Sequence, residues 1–160
     1  MYKYIEMENK EIIISNEKEL HYKVVQFIKR FRKDVILVPG LGEHQVNSGI
    51  RTDSYFKGYT SGQPDIMILN SHRYYAGLCL ELKTPTGKGI TSSNQKEFLN
   101  QMELINYKVI ISNDYDYIIV QLLEYFKDIM YPSKYCCTKR GYKTFEKLLK
   151  HYDLFHKINH

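Results

Sequence analysis

The 160-residue chain is expected to fold as an α/β protein, a mixed β-sheet flanked by helices with a helical extension at the C-terminus. Three observations lead there. Long segments with apolar residues every three or four positions alternate with short apolar runs of strand length. Two of those runs lie either side of a polar turn, Asn70 to Arg73, and read as an antiparallel hairpin. The order along the chain, α-β-loop-β-β-α-β-α, then suits a sheet covered on both faces.

Ser15 or Asn16 is suited to cap a first helix, Glu17 to Lys33, in which Leu20, Val24, Phe27, Ile28 and Phe31 form an amphipathic stripe. Asp34 to Val38 is a short β-type run that Pro39-Gly40 ends. Leu41 to Ser61 carries Gly42, Gly49 and Gly58 among polar residues without a period, and reads as a long loop of functional or mobile kind. The hairpin arms are Ile66 to Leu69 and Ala76 to Leu82, and Thr84-Pro85-Thr86-Gly87-Lys88-Gly89 is an exposed turn. A cap within Thr91 to Ser93 opens a helix to about Asn106, with Phe98, Leu99, Met102 and Ile105 on one face and Gln95 sharing it. Val109 to Ile111 is a further strand, and Asn113-Asp114 a turn and cap. A helix from Tyr115 to Met130 presents Ile118, Ile119, Leu122, Phe126 and Ile129. Tyr131-Pro132-Ser133 breaks it, and a last helix near Lys143 to His151 carries Phe145, Leu148 and Leu149.

Length allows one domain with a real core. No apolar run is long enough to span a bilayer. The polar, acidic start Met1 to Lys10 argues against a secretory signal, and three cysteines form no disulfide framework. The expected setting is intracellular, cytoplasm or nucleus. Net charge is +5, and the segment from Lys127 onward holds eight Lys/Arg against three Asp/Glu, which accounts for the whole excess. A neutral body with a basic tail suits a polyanionic partner, although a solvated helix face has the same composition. Cys136, Cys137, His151, His156 and His160 lack zinc-ligand spacing.

The chemistry concentrates in the hairpin. If its turn centres near Arg73, Asp65 falls across from Glu81, and the side-chain period of two puts Lys83 on the Glu81 face. Such a triplet among apolar residues is costly to bury unless it binds or catalyses something. Two carboxylates at facing positions are hard oxygen donors, suited to Mg²⁺ or Mn²⁺, and the backbone carbonyl of Leu82 offers another oxygen. Lys83 would orient a water and offset charge developing at phosphorus. Glycoside chemistry, with two free carboxyls and no lysine between them, fits less well. The plain structural reading is a turn aspartate and a strand-end Glu81–Lys83 salt bridge.

The neighbours of the triplet weigh against the plain reading. Glu17, Gly62-Gln63-Pro64-Asp65, Glu81-Leu82-Lys83-Thr84-Pro85 and Gln95 with Phe98-Leu99 occur in order, and Pro64-Asp65 stands sixteen residues before Glu81. This set resembles the PD-(D/E)XK nuclease superfamily, in its virus-type replication-repair nuclease (VRR-NUC) branch, over about Glu17 to Phe126. Gly49-Ile50-Arg51 and Lys57-Gly58 look like that branch's glycine-rich approach to the aspartate strand. Where the branch often carries Gln four residues after the helix Glu, this chain has His21.

The resemblance implies a restriction-endonuclease-like fold. It divides the chain into an N-terminal segment (1–16), a nuclease core (17–130) and a basic helical extension (131–160). It implies Asp65, Glu81, the Leu82 carbonyl and Glu17 as metal ligands, with Glu19 a rival to Glu17. Lys83 would be the water-positioning lysine and Gln95 a polar support. Arg51 and Lys57 in the loop and Lys88 in the following turn are candidate phosphate contacts. The expected function is a Mg²⁺/Mn²⁺-dependent DNA endonuclease, a homodimer acting on branched or Holliday-junction-like DNA in repair. The alternatives are a catalytically weak DNA-binding accessory subunit of the same fold, and a sequence-specific restriction enzyme.

Overall fold

The computed structural model describes residues 14–40, 48–87 and 89–129. Its elements in chain order are α1 (Glu17–Phe31), β1 (Leu37–Pro39), α2 (Ser48–Phe56), β2 (Ile66–Ile68), β3 (Gly77–Leu82), α3 (Ser93–Leu104), β4 (Tyr107–Ser112) and α4 (Tyr115–Lys127). The four strands form one mixed sheet in the order β1-β2-β3-β4. The first two pairings are antiparallel and β3 runs parallel to β4, with α3 as the crossover between them. Among the described residues no helix is long and apolar enough to cross a membrane.

Strand alternation sorts the core into two layers. Ile66, Ile68, Leu78, Leu80, Leu82 and Ile110 pack with Leu20, Val24, Phe27 and Ile28 of α1 and with the apolar residues of α4. Cys79 points the other way, against Leu99 and Met102 of α3, with Met67, Phe98, Tyr107 and Val109 around it. Central β3 is buried along its whole length. Each of its leucines, fully enclosed, contributes roughly 1.5–3 kcal/mol. Burial pushes the Cys79 thiol up to about 12, so it behaves as a small apolar side chain.

The element limits show which local signals prevailed. Asn16 is the α1 cap, accepting from the Glu19 N–H at 2.9 Å. Asp34, expected inside β1, instead turns back to a buried fork with Arg32, at 2.9 and 2.7 Å, while Arg32 Nη1 donates to the Phe126 carbonyl at 2.8 Å. The strand therefore starts later, at Leu37. Ile105, expected on the inner face of α3, is 60% exposed, because the helix ends at Leu104 and Asn106 takes φ 65° to turn the chain into β4. The stretch 41–61 is not structureless throughout: Ser48–Phe56 is helical. None of its residues is buried, so it had no apolar period to betray it. The basic extension and its expected helix near 143–151 lie outside the described residues.

Candidate active site

The hairpin register pairs Ile66 with Leu80 and Ile68 with Leu78, so the pairing is centred on Arg73. Carried one step past the end of β2, it sets Asp65 opposite Glu81. Asp65 Oδ2 accepts the Leu82 N–H at 2.6 Å, which ties the carboxylate to β3. Its own carbonyl accepts the Gly40 N–H at 2.9 Å, which ties the same residue to the end of β1. Asp65 is thus clamped from both neighbouring strands.

Glu81 follows Cys79 on the α3 side of the sheet. It is 2% exposed, and its Oε1 accepts from Lys83 Nζ at 2.7 Å and from Gln95 Nε2. Its Oε2 is buried with no partner. Burial pushes the Glu81 carboxyl up to about 7; the Lys83 bond and charge oppose this, and the nearby charges of Asp65 and Glu17 reinforce it. Lys83 keeps only a small opening to solvent, 13% of its side chain.

Gln95 reaches Glu81 because of where its helix begins. Ser92 is the α3 cap: its hydroxyl accepts the Gln95 N–H, and Gln95 Oε1 accepts the Ser92 N–H at 2.9 Å, a complete capping box. With its oxygen held there, the Gln95 amide can only aim its NH₂ at the carboxylate. The cap expected within Thr91 to Ser93 is Ser92, and Gln95, implied by the resemblance as a polar support, does its bonding at Glu81. The loop leading to Asp65 is locked to the same turn. Asn94 Nδ2 donates to Ser61 Oγ at 3.1 Å, and Gly62 lies at φ 91° with a Cβ there set to collide with the Asn94 carbonyl. Only glycine fits that close approach.

Glu17, at the start of α1, accepts from Thr84 Oγ1 at 3.3 Å, one residue past Lys83. Glu19 instead takes the Ser15 N–H and hydroxyl, at 3.1 and 2.9 Å. Those Ser15 bonds hold the Glu19 carboxyl below its usual range. His21 is half-buried on α1. Thr84 belongs to the Glu81-Leu82-Lys83-Thr84-Pro85 run that carries the resemblance, but its sequence position gave no sign of a bond to Glu17. Arg51 sits on exposed α2, and Lys57, just past its end, pairs with Asp53 of that helix at 2.6 Å. Lys88 lies outside the described residues.

Asp65, Glu81, Lys83 and Gln95 are therefore brought together, and Glu17 approaches from α1. Among the described residues no three His, Cys, Asp or Glu side chains close into a ready-made metal cage. The donor set still fits a hard cation. Oε2 of Glu81 is an unsatisfied buried acceptor, and burial first, with the nearby charges of Asp65 and Glu17, disfavours ionisation of this carboxyl until a cation offsets it. The Leu82 carbonyl belongs to the same stretch of β3, between Glu81 and Lys83.

No family model and no curated protein sequence matches the chain. A solved structure described as a VRR_NUC domain protein is similar to it, at 21% identity and a TM-score of 0.56, over 69% of this chain and 88% of that one. The likeness shows the fold: a VRR-NUC-like, restriction-endonuclease-like α/β architecture.

Proposed function

We propose that the chain is a Mg²⁺- or Mn²⁺-dependent DNA endonuclease that hydrolyses phosphodiester bonds at the site around Glu81. The observation that carries this reading is the buried, unpartnered Oε2 of Glu81, set among acidic charges and beside a lysine. A purely structural ion pair has no use for a second carboxylate opposite it and an orphaned oxygen. Asp65, Glu81 and the Leu82 carbonyl would hold the ion, and Glu17 would reach it directly or through water from α1. A divalent ion held there would neutralise the gathered carboxylates and acidify a water.

The chain's own residues would do the rest. Lys83, held in place by Glu81, aims its ammonium at the attacking water and at the charge that grows on the phosphate oxygens. Gln95 fixes the Glu81 carboxylate so that Oε2, not Oε1, is left for the ion. Thr84 does the same for Glu17 from the other side. The substrate would be branched or junction DNA of the kind repair handles, bound by a homodimer whose two sites address two strands. The buried free thiol of Cys79 suits a reducing, intracellular setting.

The test is cleavage of branched and linear DNA with Mg²⁺, Mn²⁺ or EDTA. Metal-stimulated cutting that disappears in Asp65→Ala and Glu81→Ala is expected. Cutting that survives both changes would remove the assignment, and salt-sensitive DNA binding without any cutting would favour a non-catalytic accessory role.

A further inference from the structure

Helix α2 buries nothing, yet its last turn is sharply defined. The Gly58 N–H donates to the Tyr55 carbonyl at 3.0 Å and the Tyr59 N–H to the Ser54 carbonyl at 2.9 Å, the two bonds of a Schellman stop, with Gly58 at φ 91°. That turn displays Tyr55 and Phe56, 71% and 80% exposed, with ring centroids 5.8 Å apart in an edge-to-face arrangement. Rings so open contribute little to the core, and adjacent exposed aromatics mark a contact surface.

Position and charge indicate what would cover them. Arg51 on the helix and Lys57 just past it are exposed, and since Lys57 pairs with Asp53 the segment carries one positive charge in excess. Ser61, five residues after Phe56, is bonded to Asn94, and Gly62 presses on the α3 turn that carries Gln95. Five residues reach at most ~17 Å, so the aromatic pair is tethered within a few nucleotides' length of the Glu81 corner. We infer that Tyr55 and Phe56 form a stacking platform for unpaired bases of the strand whose phosphate enters the site. This rests on the nuclease reading and specifies its substrate: DNA that is single-stranded or opened next to the scissile bond. Bases in continuous duplex present their faces to one another and offer nothing to a protein ring, whereas every unpaired base has a free face.

The native chain contains no tryptophan, so Phe56→Trp installs a single fluorescent reporter on the platform. Full-length Phe56→Trp protein is titrated in EDTA with a single-stranded oligonucleotide, a branched DNA with an unpaired flap, and a blunt duplex. Quenching by the first two and little by the third is expected. In labelled-DNA anisotropy, Tyr55→Ala/Phe56→Ala should bind the single strand about tenfold or more weakly, with a smaller change for blunt duplex. Alanine is the better helix former and α2 has no buried residue, so the variant should keep its fold, as circular dichroism checks. Equal quenching by blunt duplex, or DNA binding with no quenching, overturns the platform. So does loss of a dimer in Tyr55→Ala/Phe56→Ala with DNA affinity unchanged. Quenching in a protein that never cuts with Mg²⁺ or Mn²⁺ supports the platform and refutes the nuclease reading. Cutting without quenching refutes the platform alone.

Discussion

Replacing Glu81 by glutamine should make the metal-free protein more stable at alkaline pH while abolishing any metal-dependent activity. The Glu81 carboxyl is pushed from its ordinary 4.5 up to about 7, first by burial and then by Asp65 and Glu17, against the pull of Lys83. A carboxyl raised in the fold stabilises it fully below about 4.5, and that contribution is lost as pH rises through about 7. At pH 8.5 the whole shift is lost, a penalty on the order of 3 kcal/mol. Glutamine removes the charge but keeps an oxygen for Lys83 and Gln95 at the Oε1 position, so the gain should be about 2 kcal/mol. For a domain of this size that is a rise of roughly 4–8 °C in Tm. The assay is urea unfolding in EDTA at pH 5 and pH 8.5, followed by circular dichroism. The Glu81→Gln advantage should appear at pH 8.5 and nearly vanish at pH 5. Added Mn²⁺ should raise the wild-type midpoint and leave the variant unmoved. A variant no more stable than wild type at pH 8.5, or an advantage equal at both pH values, would refute the reasoning.

Three further outcomes follow from other parts of the fold. Gly62→Ala forces a Cβ into the Asn94 carbonyl at φ 91°, so it should cost about 2 kcal/mol and weaken activity by shifting the α3 turn that aims Gln95; unfolding midpoints and cleavage rates check both. Asp34→Ala leaves the buried Arg32 guanidinium without its fork and should cost about 3–5 kcal/mol, read as the loss in unfolding free energy. His72 is held below its usual range by burial, against the pull of Asp128 and with help from Lys108. Its stabilising contribution is therefore complete above about 6.5 and declines as pH falls through its lowered value. His72→Phe, which keeps the stack on Tyr125, should lose less stability than wild type between pH 7 and pH 5.

Much of the site was legible because hairpins obey a strict period. Two apolar runs symmetric about Arg73 leave one register that buries Ile66, Ile68, Leu78 and Leu80 together, and that register brings Asp65 to Glu81. The Ser92 and Gln95 pair could likewise be read as a helix start. Helix α2 could not, since a helix that buries no side chain leaves no apolar spacing to detect. The choice between Glu17 and Glu19 was equally closed, because neighbours on a helix differ only in what stands across from them. Ile105 misled for a related reason: its spacing was right, but Asn106 turned the chain before the face was complete.

Local order is a matter of short-range chemistry, so the amino-acid order alone settled the succession of strands and helices apart from α2, the Asp65–Glu81 register and the side of β3 on which Lys83 stands. Tertiary structure decided everything that depends on two distant segments meeting. Only packing could place Thr84 against Glu17, press Gly62 onto the first turn of α3, and let Gln95 take one oxygen of Glu81 while the other stays unpartnered. The reason is physical: whether a carboxylate ionises, and which of its oxygens is left over, is set by the burial and charges around it, and these exist only once the chain has closed on itself.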